Sequence, residues 1–221
     1  MNTIGMPLNV NVGGWCMIHL DFGAGELIED LVGQFTDFDE TQWTIIGVDR
    51  REPHKDPVFM HIMKTHYDRI GNGWIVKKDN KPPWRFYDMY IVDDIRSPNL
   101  VIPKANSWQC LSTMEHVPEE ELQEVMEAFI DKLHWKSVGK MRIDLTDHRY
   151  YPSDEKSFLH YEDETFAKTI HKDFTGLYLN RVKRGEWKQL MDKWFVYEGA
   201  PDDNQYTVSL KNVKLKHEEV A

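Results

Sequence analysis

Acidic residues and glycines follow apolar runs at intervals in the first half of the chain. Asp21 ends one such run and precedes Gly23 and Gly25, and Asp49 and Asp94 stand after two later runs. Glycines let the backbone turn tightly and let a ligand approach it closely. A carboxylate can accept hydrogen bonds from both hydroxyls of a ribose. These residue types in this order predict a nucleoside-binding site.

Two acid–histidine pairs follow the later apolar runs. Glu115 and His116 stand after the fourth run, and Asp147 and His148 stand after the fifth. A histidine titrates near neutral pH and can remove the proton of an attacking hydroxyl. We predict His148 as this base, oriented by Asp147 or Glu115, with His116 as the second candidate. The alternative is that His148 only caps a loop by hydrogen bonding.

Strands and helices must alternate to position these groups, and such alternation is typical of parallel βαβ units. The predicted strands cover residues 15–20, 44–48, 89–92, 108–111 and 141–145. The predicted helices cover residues 26–35, 58–70, 118–133 and 183–194, and a closing hairpin covers residues 195–197 and 206–210. Residues 71–84 are predicted as a loop or a small excursion, and Gly139 as the end of the fourth unit. Ligands bind where the carboxyl ends of such strands meet.

The composition is that of a folded protein with a sizeable core. With 41% hydrophobic residues among 221, we expect a single domain, with residues 15–210 as its core and residues 211–221 as a polar tail. The net charge of −10 argues against general binding to nucleic acid or to anionic membranes. Cys16 and Cys110 are expected to be reduced core residues. Because no basic segment precedes an apolar run, we expect a cytoplasmic location.

The same residues resemble the motifs of the class I S-adenosylmethionine-dependent methyltransferases. Residues 20–25 resemble the acidic Gly-x-Gly motif after that family's first strand, and residues 48–49 resemble its ribose-binding acid. Residues 93–95 resemble the adenine-binding segment, and residues 110–117 the fourth-strand segment that often ends in Glu-His. The likeness covers roughly residues 15–210. It implies a Rossmann-like α/β fold with a mostly parallel seven-stranded sheet, helices on both faces and a C-terminal antiparallel hairpin.

The resemblance implies S-adenosylmethionine as cofactor and S-adenosylhomocysteine as product. The cofactor contacts that it implies come from Asp21, Phe22, Gly23, Ala24, Gly25, Asp49, Arg50, Asp94, Ile95 and Leu111. For the adenine amine, Asp94 is favoured over its neighbour Asp93. The acceptor contacts are expected from Glu115, Tyr150, Asn180 and Arg181. The acids at positions 115, 144 and 147 suit Mg²⁺, but their spacing is not that of a metal motif, and no metal is predicted.

A narrower resemblance concerns the second half of the chain. Residues 144–148, the Asn180–Arg181 pair and Trp187 resemble a subgroup often found in glycan and cell-surface polysaccharide biosynthesis. This subgroup implies an O-methyltransferase acting on a sugar hydroxyl of a glycan or an activated sugar. It also implies fusion to glycosyltransferase domains or work beside them. We expect a small-molecule or glycan acceptor and no nucleic-acid or membrane partner.

Two departures from the family pattern leave alternatives open. Leu27 stands where a third glycine is common, and only about 14 residues precede the first predicted strand, so the chain is either a minimal form or one domain of a longer one. The acceptor can instead be another small molecule or a protein side chain. A cofactor-binding module without catalysis is a further alternative, whereas a dinucleotide-binding dehydrogenase needs glycine at Ile28.

Overall fold

The structure is a computed structural model that describes residues 17–24, 43–51, 57–80, 87–145, 180–198 and 207–216. It divides the chain into two compact units, Met1–Trp108 and Gln109–Ala221, and the single-domain organisation stays a prediction. Several predicted features lie outside the described residues, namely the helix over 26–35, Cys16, Gly25, Asp147, His148 and Tyr150.

The first unit is built on parallel strands. β1 (Met17–Phe22) pairs in parallel with β2 (Trp43–Asp49), and β2 pairs in parallel with the strand Met89–Val92, which is β5 in chain order. The last four residues of β1 and the last five of β2 are buried, as expected for parallel strands that are covered on both faces. The strands predicted over residues 44–48 and 89–92 are confirmed.

A helix of the first unit, α1 (Pro57–His66), ends before the predicted boundary at residue 70. Its proline start suits the first helical position, where the missing N–H is not needed. The Lys77 ammonium donates a hydrogen bond at 2.9 Å to the carbonyl of Thr65, which lies in the last turn of the helix. The side chains that α1 buries are Phe59, Ile62 and Met63.

An antiparallel hairpin lies next to β5. β3 (Tyr67–Ile70) pairs with β4 (Gly73–Val76), and β4 pairs with β5. The prediction of a loop over residues 71–84 was therefore wrong for β4, because a strand of four residues between turn signals is too short to show a period. The strands of this unit follow the order β3-β4-β5-β2-β1-β6, where β6 (Ala105–Leu111) contributes its first four residues.

The second unit combines two further helices with the end of β6 and three later strands. Its elements are the 3₁₀ turns Met114–His116 and Glu119–Glu121, α2 (Leu122–Asp131), β7 (Leu133–Asp144), α3 (Arg184–Trp194), β8 (Phe195–Glu198) and β9 (Thr207–Leu215). The strand order is β6-β7-β9-β8, and β9 runs antiparallel to both neighbours. β8 and β9 pair antiparallel as the predicted C-terminal hairpin requires, but β8 pairs with residues 211–215, and the predicted partners 207–210 pair with β7 instead. The buried stripe of α2 is confirmed.

β7 is longer than predicted and passes through Gly139. It begins at Leu133 instead of Met141 and runs for twelve residues. Leu133, Ser137, Met141 and Ile143 are buried on it, which is the spacing of one strand face. The prediction that Gly139 ends the preceding unit was wrong, because Gly139 pairs with a residue of β9 inside the ladder.

β9 also overturns part of the predicted tail, since residues 211–215 belong to this strand. Within the described residues there are nine strands, and four of the strand pairs are antiparallel. The expected seven-stranded, mostly parallel sheet is therefore corrected to a mixed arrangement. None of the helices in the described part of the chain combines the length and the apolar character needed to cross a membrane.

Candidate functional site

The turn after β1 is anchored to the end of β2. Gly23 has a φ of 70°, in the left-handed region that glycine adopts without strain. The N–H groups of Gly23 and Ala24 both donate to the carbonyl of Val48, at 2.8 and 3.2 Å. Because Phe22 pairs with Val48 in the parallel register, the turn lies beside Asp49 at the carboxyl edge of these strands. The described part of the glycine turn and Asp49 thus lie side by side at one sheet edge, and their role in binding a cofactor stays a prediction.

The Asp49 side chain closes a turn at the end of β2. The main-chain N–H of Arg51 donates to its Oδ1 at 2.8 Å, and the Arg51 Nε lies 3.7 Å from the same oxygen. A hydrogen bond from the N–H two residues on is the signature of an Asx turn. Asp49 is buried, so its carboxylate is held in one orientation beside the glycine turn. A fixed carboxylate at this place is suited to the hydroxyls of a ribose.

Asp94 forms the same kind of turn after β5. The Arg96 N–H donates to its Oδ1 at 2.9 Å, and the guanidinium donates to Oδ1 from Nε at 2.9 Å and to Oδ2 from Nη2 at 2.8 Å. This two-point pairing is the strong geometry for arginine and carboxylate. The hydrogen bonds from Arg96 lower the pKa of Asp94 to about 2, against the effect of burial. Asp94 is therefore ionised at neutral pH.

The neighbouring acid, Asp93, is turned toward the β3–β4 hairpin. The Asn72 Nδ2 donates to its Oδ2 at 3.1 Å, and the Asp94 N–H donates to its Oδ1 at 2.9 Å. In contrast, Asp94 Oδ2 lies 3.7 Å from Nη1 of Arg50, directly after β2. Of the two acids, Asp94 is therefore the one that faces the end of β2. Ile95 next to it is buried, and its predicted contact with the adenine ring stays a prediction.

A buried tyrosine bonds the acid of the glycine turn. The Tyr87 hydroxyl donates to Asp21 Oδ2 at 2.6 Å and also approaches the carbonyl of Ala24, at 3.2 Å. Tyr87 is 1% exposed and Asp21 is 3% exposed. Burial, followed by the negative charge of Asp21, raises the pKa of Tyr87 well above its usual range. The hydroxyl therefore keeps its proton and remains a donor to the carboxylate.

Gly47 in β2 leaves the space that the Tyr87 ring occupies. A Cβ at position 47 would lie 2.9 Å from Cε1 of Tyr87 and 3.0 Å from the Cβ of Ala24. The sequence patterns did not single out Tyr87, Gly47, Arg51 or Arg96. A glycine inside an apolar strand is a sign of close approach by another group, and the repeated Asp-x-Arg spacing is a sign of paired turns.

In the second unit, the segment after β6 is bonded to β7. Ser112 has a φ of 52°, which is uncommon for a residue with a Cβ. Its N–H donates to the carbonyl of Arg142 at 2.8 Å, and the Arg142 Nε donates to the Ser112 Oγ at 3.1 Å. Glu115 is buried, and its Oε1 accepts the N–H of Asp144 at 3.2 Å. Glu115 therefore links the turn after β6 to the end of β7.

Asn180 fastens the same turn. Its side-chain Nδ2 donates to the carbonyls of Met114 and Val117, both at 2.9 Å, and its main-chain N–H donates to the carbonyl of Glu115 at 2.7 Å. Both amide hydrogens of the side chain are used, so Asn180 positions the turn that carries Glu115. Contact between Asn180 and an acceptor stays a prediction.

The remaining predicted residues of the second unit are less buried. Arg181 donates its N–H to Glu119 Oε1 at 2.8 Å, and Leu111, His116 and Arg181 are all half-buried. Trp187 is 0% exposed, so its ring packs in the interior.

The described residues thus bring together most of the predicted cofactor site. The predicted residues at the strand ends of the first unit are Asp21, Phe22, Gly23, Ala24, Asp49, Arg50, Asp94 and Ile95. The predicted base pair Asp147–His148, together with Gly25 and Tyr150, lies outside the described residues.

No family model and no curated protein matches the chain. Among solved structures, a Clostridium acetobutylicum S-adenosylmethionine-dependent methyltransferase is similar, with a TM-score of 0.52 and 13% identity over 90% of this chain and 84% of that one. The CurJ carbon methyltransferase has a TM-score of 0.52 and 12% identity over 90% of this chain and 48% of that one. LepI in complex with S-adenosylmethionine has a TM-score of 0.51 and 11% identity over 95% of this chain and 47% of that one.

At such identities the likeness shows the fold alone. The chain has the Rossmann-like fold of the methyltransferase structures, as the sequence predicted. It spans about half the length of the LepI and CurJ chains and most of the Clostridium chain.

Proposed function

We propose that the chain is an S-adenosylmethionine-dependent methyltransferase. The observation that carries the proposal is the meeting of the left-handed Gly23 turn with Asp49 at the ends of two adjacent parallel strands. The names of the similar structures support it, since two are methyltransferases and the third was solved with S-adenosylmethionine.

The described groups suit the adenosine half of this cofactor. The Asp49 carboxylate, fixed by the Arg51 N–H, accepts hydrogen bonds from the ribose hydroxyls. The ionised Asp94 accepts one from the adenine amine, because its Oδ2 lies toward the end of β2. The absence of a side chain on Gly23 lets the ligand approach the backbone.

The bound cofactor supplies a methyl group on a sulfonium ion. For transfer to a hydroxyl group, the part of this chain would be to provide a base that takes up the proton lost by the acceptor oxygen. We assign this base to His148, oriented by Asp147 or Glu115, with His116 as the second candidate. In the second unit, Asn180 and the Asp144 N–H hold the turn of Glu115 and His116 in place.

The acceptor proposed is a sugar hydroxyl of a glycan or an activated sugar. Its support is the resemblance of residues 144–148 and 180–187 to the glycan-related subgroup. The test is transfer of labelled methyl groups from S-adenosylmethionine to a panel of sugars, nucleotide sugars and glycans. Labelling of a sugar that is lost in the His148→Ala variant supports the proposal, and labelling of only other small molecules or proteins contradicts it.

Replacing Asp49 with asparagine is expected to weaken cofactor binding. The change removes the charge that accepts the ribose hydroxyls, and hydrogen bonds to charged groups contribute enough that the Kd for S-adenosylhomocysteine rises at least about tenfold. Calorimetric titration measures this Kd. The matched control is Asp68→Asn, which removes an exposed carboxylate of β3 in the same unit and is expected to leave the Kd unchanged. Equal effects of the two substitutions would contradict a specific role for Asp49.

A further inference from the structure

The glycine turn after β1 is held in the first unit by a hydroxyl that belongs to neither β1 nor β2. We propose that Tyr87 is a positioning residue for cofactor binding, which fixes the Asp21 carboxylate and the Gly23–Ala24 turn in the shape that the cofactor requires. This inference rests on the proposed function, because it assigns a role within the same site. It adds a residue that lies before β5 and is absent from the motif residues of the sequence.

The hydroxyl of Tyr87 joins the two ends of the turn. It donates to Oδ2 of Asp21, the residue before the turn, at 2.6 Å, and lies 3.2 Å from the carbonyl of Ala24, the residue after Gly23. On its other side the turn is bonded to Val48 through the two N–H groups. The backbone of residues 21–24 is therefore fixed from two sides, by β2 and by Tyr87.

The buried carboxylate needs this donor. Asp21 is 3% exposed, and a buried charge is costly unless hydrogen bonds compensate for the lost water. A phenylalanine at position 87 would keep the ring and remove this donor. The carboxylate would then lose one of the hydrogen bonds that compensate for its burial, and the turn of which it is the first residue would be held less firmly.

The Tyr87 ring is itself held in one place. It lies against the bare backbone of Gly47, where a Cβ would be 2.9 Å from the ring. The ring of Tyr90 packs edge-on against it, with ring centroids 5.6 Å apart. The hydroxyl of Tyr67 donates to the carbonyl of Tyr87 at 2.6 Å. Two neighbours pack against the ring and a third bonds the main chain that carries it, which keeps the hydroxyl beside the turn.

The test compares Tyr87→Phe with Tyr67→Phe in the full chain. Both variants remove one buried hydroxyl that makes a 2.6 Å hydrogen bond in the same cluster, but only Tyr87 bonds the turn. The first readout is hydrogen exchange of the Gly23 and Ala24 amides without cofactor, which measures how firmly the turn is bonded. The second is the Kd for S-adenosylhomocysteine. Thermal unfolding of both variants shows whether each is folded.

We expect Tyr87→Phe to speed exchange at both amides and to raise the Kd about tenfold. Tyr67→Phe, which leaves the Tyr87 hydroxyl bonded to Asp21, should change both clearly less. Asp21→Asn weakens the same hydrogen bond from the other side, so it should also speed amide exchange and raise the Kd. The double variant should lose less binding free energy than the sum of the losses in the two single variants, because both substitutions remove the same interaction. Unchanged exchange in a folded Tyr87→Phe, or equal changes in both tyrosine variants, overturns the proposal.

The failure of the proposed function would look different. If the wild-type protein binds no S-adenosylhomocysteine, the methyltransferase proposal fails and the cofactor role of Tyr87 falls with it. The amide exchange of the two tyrosine variants still decides, without any cofactor, whether Tyr87 holds the turn.

Discussion

At the scale of residues, two carboxylates at neighbouring strand ends are fixed by the same local device. Asp49 and Asp94 each accept the N–H of an arginine two residues further along, at 2.8 and 2.9 Å. An acid that is already held in position loses little side-chain freedom when a ligand binds, so more of the interaction contributes to affinity. These turns therefore favour binding of the nucleoside proposed above.

The first prediction concerns Arg96. Its guanidinium makes the largest contribution to the low pKa of Asp94, and Arg96→Met is expected to lower the free energy of unfolding by about 1 kcal/mol at pH 6. Since the folded pKa of about 2 lies below the ordinary value of 3.8 for an aspartate, this stability is present above pH 3.8 and is lost as the pH falls through 2. Urea unfolding at pH 6 and at pH 3 measures this free energy, and the difference between variant and wild type should be smaller at pH 3 than at pH 6.

The matched control for Arg96 is Arg50→Met. The Arg50 guanidinium lies 3.7 Å from the same carboxylate and is 51% exposed. Its removal should therefore lower the free energy of unfolding by less than half as much as Arg96→Met does. An equal loss in both variants, or a loss in Arg96→Met that does not change between pH 6 and pH 3, would count against the paired geometry.

The second prediction concerns Gly47. Gly47→Ala is expected to destabilise the protein by about 2 kcal/mol, because the added Cβ would overpack Tyr87 and Ala24. The control is Gly185→Ala near the start of α3, where a Cβ meets nothing within 4 Å. This control should stabilise by about 0.5 kcal/mol, because alanine favours helix. Denaturant unfolding measures both, and a neutral Gly47→Ala would show that Tyr87 does not occupy that space.

At the residue scale the sequence predicted the acids but not their partners. Asp21, Asp49 and Asp94 were recognisable because each ends an apolar run, and a strand end is visible as a change of residue type. Tyr87 was not recognisable, because it comes from a segment far along the chain and its role depends on the packing of three elements. Periodicity carries no information on such contacts.

At the scale of elements, a single extra residue in β9 sets how the last strands pair. Between Gly139 and Met141 of β7 there is one residue, while their partners Val213 and Leu210 in β9 are separated by two. The pairing with β8 shifts at the same place. Asn212 has a φ of 50°, so this is a bulge with its first residue in the left-handed region.

The third prediction follows from this bulge. Asn212→Val is expected to destabilise by about 1–2 kcal/mol, because a branched side chain is strained at positive φ, whereas Asn212→Gly should be neutral or slightly stabilising. Lys214→Val, at an exposed and regularly paired position of the same strand, should change stability by less than about 0.5 kcal/mol. Thermal unfolding distinguishes them, and equal losses in the two valine variants would contradict a special backbone at position 212.

The errors in the element predictions have a common physical cause. The strands β2 and β5 were predicted correctly because they are buried apolar runs. The predicted strands in place of β7 and β9 are too short, because the exposed faces of both strands carry lysines and other polar residues. Frequent charged residues hide the alternation of a strand with one solvated face. The sequence predicts an end at Gly139 because the bulge opposite this residue in β9 is not visible in the sequence.

At the scale of the whole molecule, the order of the elements was more informative than their boundaries. The alternation of strands and helices and the closing hairpin were predicted, and the solved structures that resemble the chain have the expected fold. The β3–β4 hairpin was missed, so the number of strands was wrong.

The most direct test of the account is a calorimetric titration of the wild-type chain with S-adenosylhomocysteine, and a parallel titration with NAD. If Gly23, Asp49 and Asp94 form a site for an adenosyl sulfonium cofactor, one molecule of S-adenosylhomocysteine should bind per chain with a Kd of about 1–100 μM. NAD should bind far more weakly or not at all. Absence of binding to the folded protein at millimolar S-adenosylhomocysteine, or tighter binding of NAD, would contradict the account.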